Sequence, residues 1–108
     1  MHNWISKEGY ETMLLADESD LSLKGTQIQL VRFKAGKYAH YYKRKTEFFY
    51  FTKGTGKVII DNTEKKIVPR SSFLIKPNVN HTFINDSEGL LEAIMFKTND
   101  LKEDTYTE

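Results

Sequence analysis

Short apolar segments alternate with turn-forming strings along most of this chain. The strings are Lys53-Gly54-Thr55-Gly56, Asp61-Asn62-Thr63, Pro69-Arg70-Ser71, Lys76-Pro77-Asn78 and Asn85-Asp86-Ser87-Glu88-Gly89. A turn about every 8 residues is the mark of short antiparallel strands in a sandwich or barrel. β-Branched and aromatic residues fill the intervals, which predicts strands over 47–52, 57–60, 72–76, 81–84 and 91–97, and upstream over 27–33 and 10–15. Residues 17–23 have room for one helical turn. No longer stretch sustains helical spacing, because Pro, Gly and Asn interrupt each candidate. The pattern predicts an all-β protein.

One strand is apolar on both faces. Alternation in Glu47-Phe48-Phe49-Tyr50-Phe51 puts Glu47, Phe49 and Phe51 on one side and Phe48 and Tyr50 on the other. A surface strand would show one polar face. Two apolar faces suit a barrel strand whose outside is covered by another sheet or subunit. Phe48 and Tyr50 are therefore candidates for a homodimer interface.

Composition narrows the picture. A chain of 108 residues with 13% aromatics supports one core, so a single domain over 1–108 is expected. Its barrel core spans about 27–97, preceded by a strand segment over 1–26 and followed by an acidic tail over 99–108. The formal net charge of +1 argues against nucleic acid as a partner. Lys43-Arg44-Lys45, the one basic run, reads as a solvated loop tip. The chain has no Cys, which removes disulfides and thiolate metal sites. No secretory pattern opens the sequence and no apolar run is long enough for a membrane helix, so a cytoplasmic location is expected.

Candidate chemistry rests on two histidines and a glutamate. His2 lies at the terminus, apart from the others, whereas His40 and His81 fall in strand contexts. His40 and Tyr42 share a strand face, and the turn over 43–46 returns Glu47 beside them. Glu47 then points inward among Phe49 and Phe51. A carboxylate there is costly to bury unless it is paired, hydrogen-bonded or bound to a cation. His81 shares its face with Phe83 and Asn85. Convergence of His40, Glu47 and His81 would give two imidazoles and a carboxylate, a set suited to Fe, Mn, Ni, Co or Zn. The bland alternative is a hydrogen-bonded polar cluster. Phe49, Phe51 and Phe83 are core residues that could also line a substrate pocket. Asn85 reads better as a turn residue bonding the backbone than as a ligand contact.

The same strings resemble the two motifs of the cupin superfamily. Gly36, His40-Tyr41-Tyr42, Glu47 and Gly54 stand in the places of the first motif, and Ser71, Pro77, His81 and Asn85 in those of the second. The match runs over about 27–97. It departs from the pattern where Tyr42 replaces the second motif histidine, where Ser71 replaces a glycine, and in three turn details: shorter Gly36–His40 and Pro77–His81 intervals and a missing glycine within the latter. The resemblance implies a double-stranded β-helix, or jelly-roll barrel. It also implies one divalent transition metal held by His40, Glu47 and His81. Tyr42 would be a proton donor or substrate hydrogen-bond partner, with a ligand role or mere space-filling as alternatives.

Two functions follow as expectations. One is a metal-dependent enzyme, an oxygenase or an isomerase/epimerase, acting on a small polar metabolite. The other is a non-enzymatic small-molecule binder, with or without metal. Fold alone does not choose between them.

Overall fold

The computed structural model describes residues 3–42, 45–98 and 105–106, with side chains at 39–42 and 105–106 left aside. Strands β1 (Trp4–Ser6), β2 (Tyr10–Ala16), β3 (Gln27–Phe33), β4 (Gly36–Tyr42), β5 (Thr46–Lys53) and β6 (Gly56–Ile60) come first. They are followed by β7 (Thr63–Ile67), β8 (Ser72–Ile75), β9 (His81–Asn85), β10 (Leu91–Thr98) and β11 (Thr105–Tyr106). The helix α1 (Glu18–Leu21) is one turn. Asp17 caps it by accepting from the Asp20 N–H at 2.9 Å, and Ser22 ends it in a left-handed conformation.

Two antiparallel sheets face each other. One has six strands in the order β1-β2-β3-β10-β5-β8, the other five in the order β11-β4-β9-β6-β7. Sequential strands thus cross between sheets, which is the jelly-roll arrangement. Period-two alternation explains the core: Val31 and Phe33, Phe49 and Phe51, Phe73 and Ile75, Leu91, Ala93 and Met95 point inward from the first sheet. Val58, Ile67 and Phe83 meet them from the second. Aromatic contacts cross the interior, with Phe49 and Phe83 ring centroids 4.7 Å apart and Phe33 and Phe83 5.2 Å apart.

The closed end is stitched by polar groups. Asn85, buried, donates to the Phe33 and Gly89 carbonyls at 2.9 Å each and accepts from the Ser87 N–H and hydroxyl. The Tyr38 hydroxyl donates to the Gly9 carbonyl at 2.6 Å, with the Lys34 carbonyl also in reach at 2.9 Å. That bond ties the N-terminal segment to the barrel. On the outer face Arg32 donates to Glu11 at 2.8 Å and lies 3.8 Å over the Trp4 ring, which anchors the three-residue β1. This hydrogen bond holds the Glu11 carboxyl below the usual range. Among the described residues no helix is long and apolar enough to cross a membrane.

Candidate metal and ligand site

Polarity changes along the inward faces of three neighbouring strands. Leu91, Ala93, Met95 and Lys97 follow one another inward on β10; Phe33, Val31, Gln29 and Gln27 do so on β3 in reverse. The ladder sets Lys97 opposite both Glu47 and Gln27, and Met95 opposite Phe49 and Gln29. Toward the other end the paired residues become Ala93, Phe51 and Val31. Each strand therefore runs from polar to apolar in step with its neighbours. The barrel fills with side chains at one end and leaves a cavity of about 350 Å³ at the other.

Glu47 and His81 face each other across this cavity from opposite sheets. Glu47 is 3% exposed and His81 2%, with Glu47 Oε1 and His81 Nε2 3.7 Å apart. His81 stacks edge-on against Phe83, ring centroids 5.4 Å apart, which limits how the imidazole can turn. Directly across the β4–β9 ladder from His81 stands His40. The His40 and Tyr42 side chains lie outside the described residues, as do Lys43, Arg44, His2 and most of the acidic tail. Backbone register accounts for Tyr42 only as the ladder partner of Thr105.

The aromatic residues expected at a pocket separate. Phe49 and Phe83 line the cavity. Phe51 does not: it is 0% exposed and packs beneath, its centroid 5.8 Å from Phe83 and 6.0 Å from Phe73. Two steps along β5 from Glu47 carry it past the cavity floor.

Lys45 corrects the reading of the basic run as a solvated tip. It is 5% exposed and lines the cavity, because it continues the inward series Phe51, Phe49, Glu47 by one more alternate position. Lys97 and Lys7 also line the wall. Lys97 was legible in principle, since it extends Ala93 and Met95 at the same period. A lysine at the end of an apolar face is easily mistaken for the point where the strand leaves the barrel.

Tyr10 is a further cavity residue that the sequence did not single out. Its phenol is pushed to hold its proton to higher pH, first by burial and then by the negative charge of Glu47 and of Glu8. Near neutral pH it is a hydroxyl donor facing a carboxylate-bearing cavity. Its ring packs on Phe33 and Tyr38, each centroid 5.8 Å away.

The donor chemistry at Glu47 and His81 suits a first-row divalent ion. Their 3.7 Å separation is shorter than two metal–ligand bonds of about 2.1 Å each, so one ion could touch both atoms as they stand. Among the described residues no three His, Cys, Asp or Glu side chains converge on a common point. His40 is the ladder partner of His81, and its side chain lies outside the described residues.

The cupin-domain sequence pattern matches residues 29–97, and the chain belongs to that family. No curated protein matches it. Solved structures with the same fold include the cupin domain of Cnp3 from Schizosaccharomyces pombe, at 13% identity and a TM-score of 0.77, covering 89% of this chain and 67% of that one. Another is described as a sugar phosphate isomerase from a cupin superfamily, from Silicibacter pomeroyi, at 23% identity and a TM-score of 0.70. It covers 84% of this chain, which spans 60% of its length. A third is Pac13 from Streptomyces, described as a nucleoside dehydratase, at 14% identity and a TM-score of 0.76, covering 99% of this chain and 84% of that one. At these identities the likeness is one of fold.

Proposed function

We propose that this cupin is a metal-dependent enzyme of the isomerase or epimerase type, acting on a small polar metabolite held in the barrel cavity. The observation that carries the reading is the buried Glu47–His81 pair, 3.7 Å apart on opposite walls of a cavity large enough for a metabolite. Keeping both groups out of water is costly, and a bound cation would offset much of that cost. His40, Glu47 and His81 are the proposed ligands, and Fe, Mn, Ni, Co and Zn all suit two imidazoles and a carboxylate. The ion, when bound, would supply Lewis-acid polarisation of a ligand oxygen.

The chain's own residues take the remaining tasks. Tyr10, kept protonated, donates a hydrogen bond or proton to the ligand, and Tyr42 is proposed for the same kind of role from β4. Phe49, Phe83 and Met95 give the cavity dry walls, which strengthens each polar contact inside it. Relatives described as an isomerase and a dehydratase favour proton transfer over oxygen chemistry.

A second reading is non-enzymatic binding of a small molecule. Lys97 stands across the ladder from Glu47, a pairing that supplies the carboxylate with a counter-charge without any ion. Metal content of protein purified without an affinity tag separates the two, measured again for His81→Ala and Glu47→Ala. Stoichiometric metal that both variants lose supports the enzyme. Protein that takes up none of the five metals leaves the binding module.

The proposal extends to assembly and location. A homodimer is expected, formed through the outer face of the six-stranded sheet, in a cytoplasmic protein with no nucleic-acid or membrane partner.

A further inference from the structure

We propose that β1 is the movable wall of the cavity, a flap latched from outside by Arg32, and that ligand enters where it lifts. The proposal rests on the reading of the cavity as a small-molecule site and adds its route of access. Alternation gives the two faces of β1 different tasks. Ile5 faces inward and lines the cavity, as does Lys7 just past the strand end, whereas Trp4 faces outward toward Arg32. Ile5 is 55% exposed although it belongs to the cavity wall, because β1 is the edge strand of the six-stranded sheet.

The walls of the cavity are unequally held. β3, β5, β10 and β9 are each paired with a strand on both sides. β1 has three residues and pairs with β2 alone, Trp4, Ile5 and Ser6 standing opposite Met13, Thr12 and Glu11. Local opening begins with elements that carry few backbone bonds and little buried apolar surface. The turn end of the hairpin is fixed. There the Lys7 N–H donates to the Tyr10 carbonyl at 2.8 Å, across Glu8 and Gly9. The Gly9 carbonyl accepts from the Tyr38 hydroxyl at 2.6 Å and from the Lys34 N–H at 3.1 Å. A Cβ on Gly9 would come within 2.5 Å of the Tyr38 ring, and its φ of +81 favours glycine. β1 therefore lifts from its Trp4 end about a pinned turn.

Arg32 restrains that end. From β3 its guanidinium reaches across β2, where it bonds to Glu11 at 2.8 Å, and lies 3.8 Å over the Trp4 ring on β1. One side chain thus spans three strands on the outer face, away from the cavity. Glu11 holds the guanidinium over the ring, and Trp offers a cation the best aromatic face. Attraction of this kind is modest at an exposed site, which suits a latch that has to open.

Labelling of His81 with diethyl pyrocarbonate tests this, since His81 is 2% exposed and lines the cavity. The full chain is treated with chelator, labelled at fixed pH, and read site by site by peptide mass spectrometry. Trp4→Ala and Arg32→Gln should each speed His81 labelling by about threefold or more. Trp4→Phe, which keeps a ring, should retain more protection than Trp4→Leu. The double variant should label no faster than Arg32→Gln alone, because both changes remove one contact. Amide exchange should rise over β1 and stay unchanged over β9 and β10, which separates lifting of the flap from unfolding of the barrel. Wild-type labelling rates in both Trp4→Ala and Arg32→Gln overturn the proposal. Faster labelling matched by an equal loss of protection in β9 and β10 overturns it as well. Metal uptake is measured separately on the same proteins. Failure of the flap then leaves the Glu47–His81 assignment standing, and failure of that assignment leaves the labelling result standing.

Discussion

Asn85 and Glu47 are both buried and polar, yet their surroundings assign them opposite tasks. Asn85 spends its amide on backbone: two donated bonds at 2.9 Å and two accepted from Ser87 join β9, the end of β3 and the turn before β10. Asn85→Ala leaves the Phe33 and Gly89 carbonyls without that donor and should cost about 2–4 kcal/mol, read as a lowered urea midpoint with the cavity's ligand affinity little changed. Its role as a backbone-bonding turn residue was legible from the Asn85-Asp86-Ser87 string. Glu47 instead projects into open volume beside His81. Tyr10 and Tyr38 give the residue scale a pH signature. Burial raises both phenols above the ordinary value of 10.0. The folded protein therefore keeps protons that the unfolded chain releases. Their contribution is fully present below about pH 10 and is lost as pH rises through the folded values. Urea midpoints measured on both sides of pH 10 should fall with rising pH, and Tyr10→Phe should flatten part of that fall. An unchanged slope in Tyr10→Phe would show that Tyr10 titrates as an exposed phenol.

Among the elements, the connection from β5 in one sheet to β6 in the other depends on a single backbone choice. Gly54 follows β5 with φ +91, and a Cβ there would come within 2.4 Å of the Leu90 carbonyl oxygen. Gly54→Ala combines a left-handed conformation with a backbone collision that no side chain can relieve. A loss of at least about 2 kcal/mol is expected, measured by thermal or urea unfolding. The period-two pattern made β3, β5, β6, β8, β9 and β10 legible, since each carries an apolar inward face. It passed over β7, whose Thr63-Glu64-Lys65-Lys66 string is exposed on an edge strand and has only Ile67 buried. It also missed β1, which depends on Arg32 and Trp4 rather than on a buried face of its own. The cavity was half legible for a related reason. Alternation places Lys45 and Lys97 inward as surely as it places Phe49 and Met95. Only the three-dimensional ladder shows that the barrel is still open where those lysines project.

At the scale of the molecule, the outer face of the six-stranded sheet has the composition of an interface. Phe48 is 40% exposed, Tyr50 38%, Leu74 52% and Ile94 37%. They are not scattered. Phe48 pairs with Leu74 and Phe96 across neighbouring strands, Tyr50 pairs with Ile94, and Ile94 pairs with Leu30. These residues form one apolar band across β8, β5, β10 and β3, larger than isolated exposed side chains would give. A second copy of the chain is the expected occupant, since a formal charge of +1 gives two copies little reason to repel. A two-fold axis would set each band against its equal. Light scattering at micromolar concentration should give twice the chain mass of 12.6 kDa. Ile94→Glu, a charge in the middle of the band with its side chain outside the cavity, should yield folded monomer with ligand binding retained. A wild-type protein that scatters as a monomer would refute the dimer. The cavity opens between strands of one barrel, so that result would leave the Glu47–His81 pair and the lysines beside it unaffected.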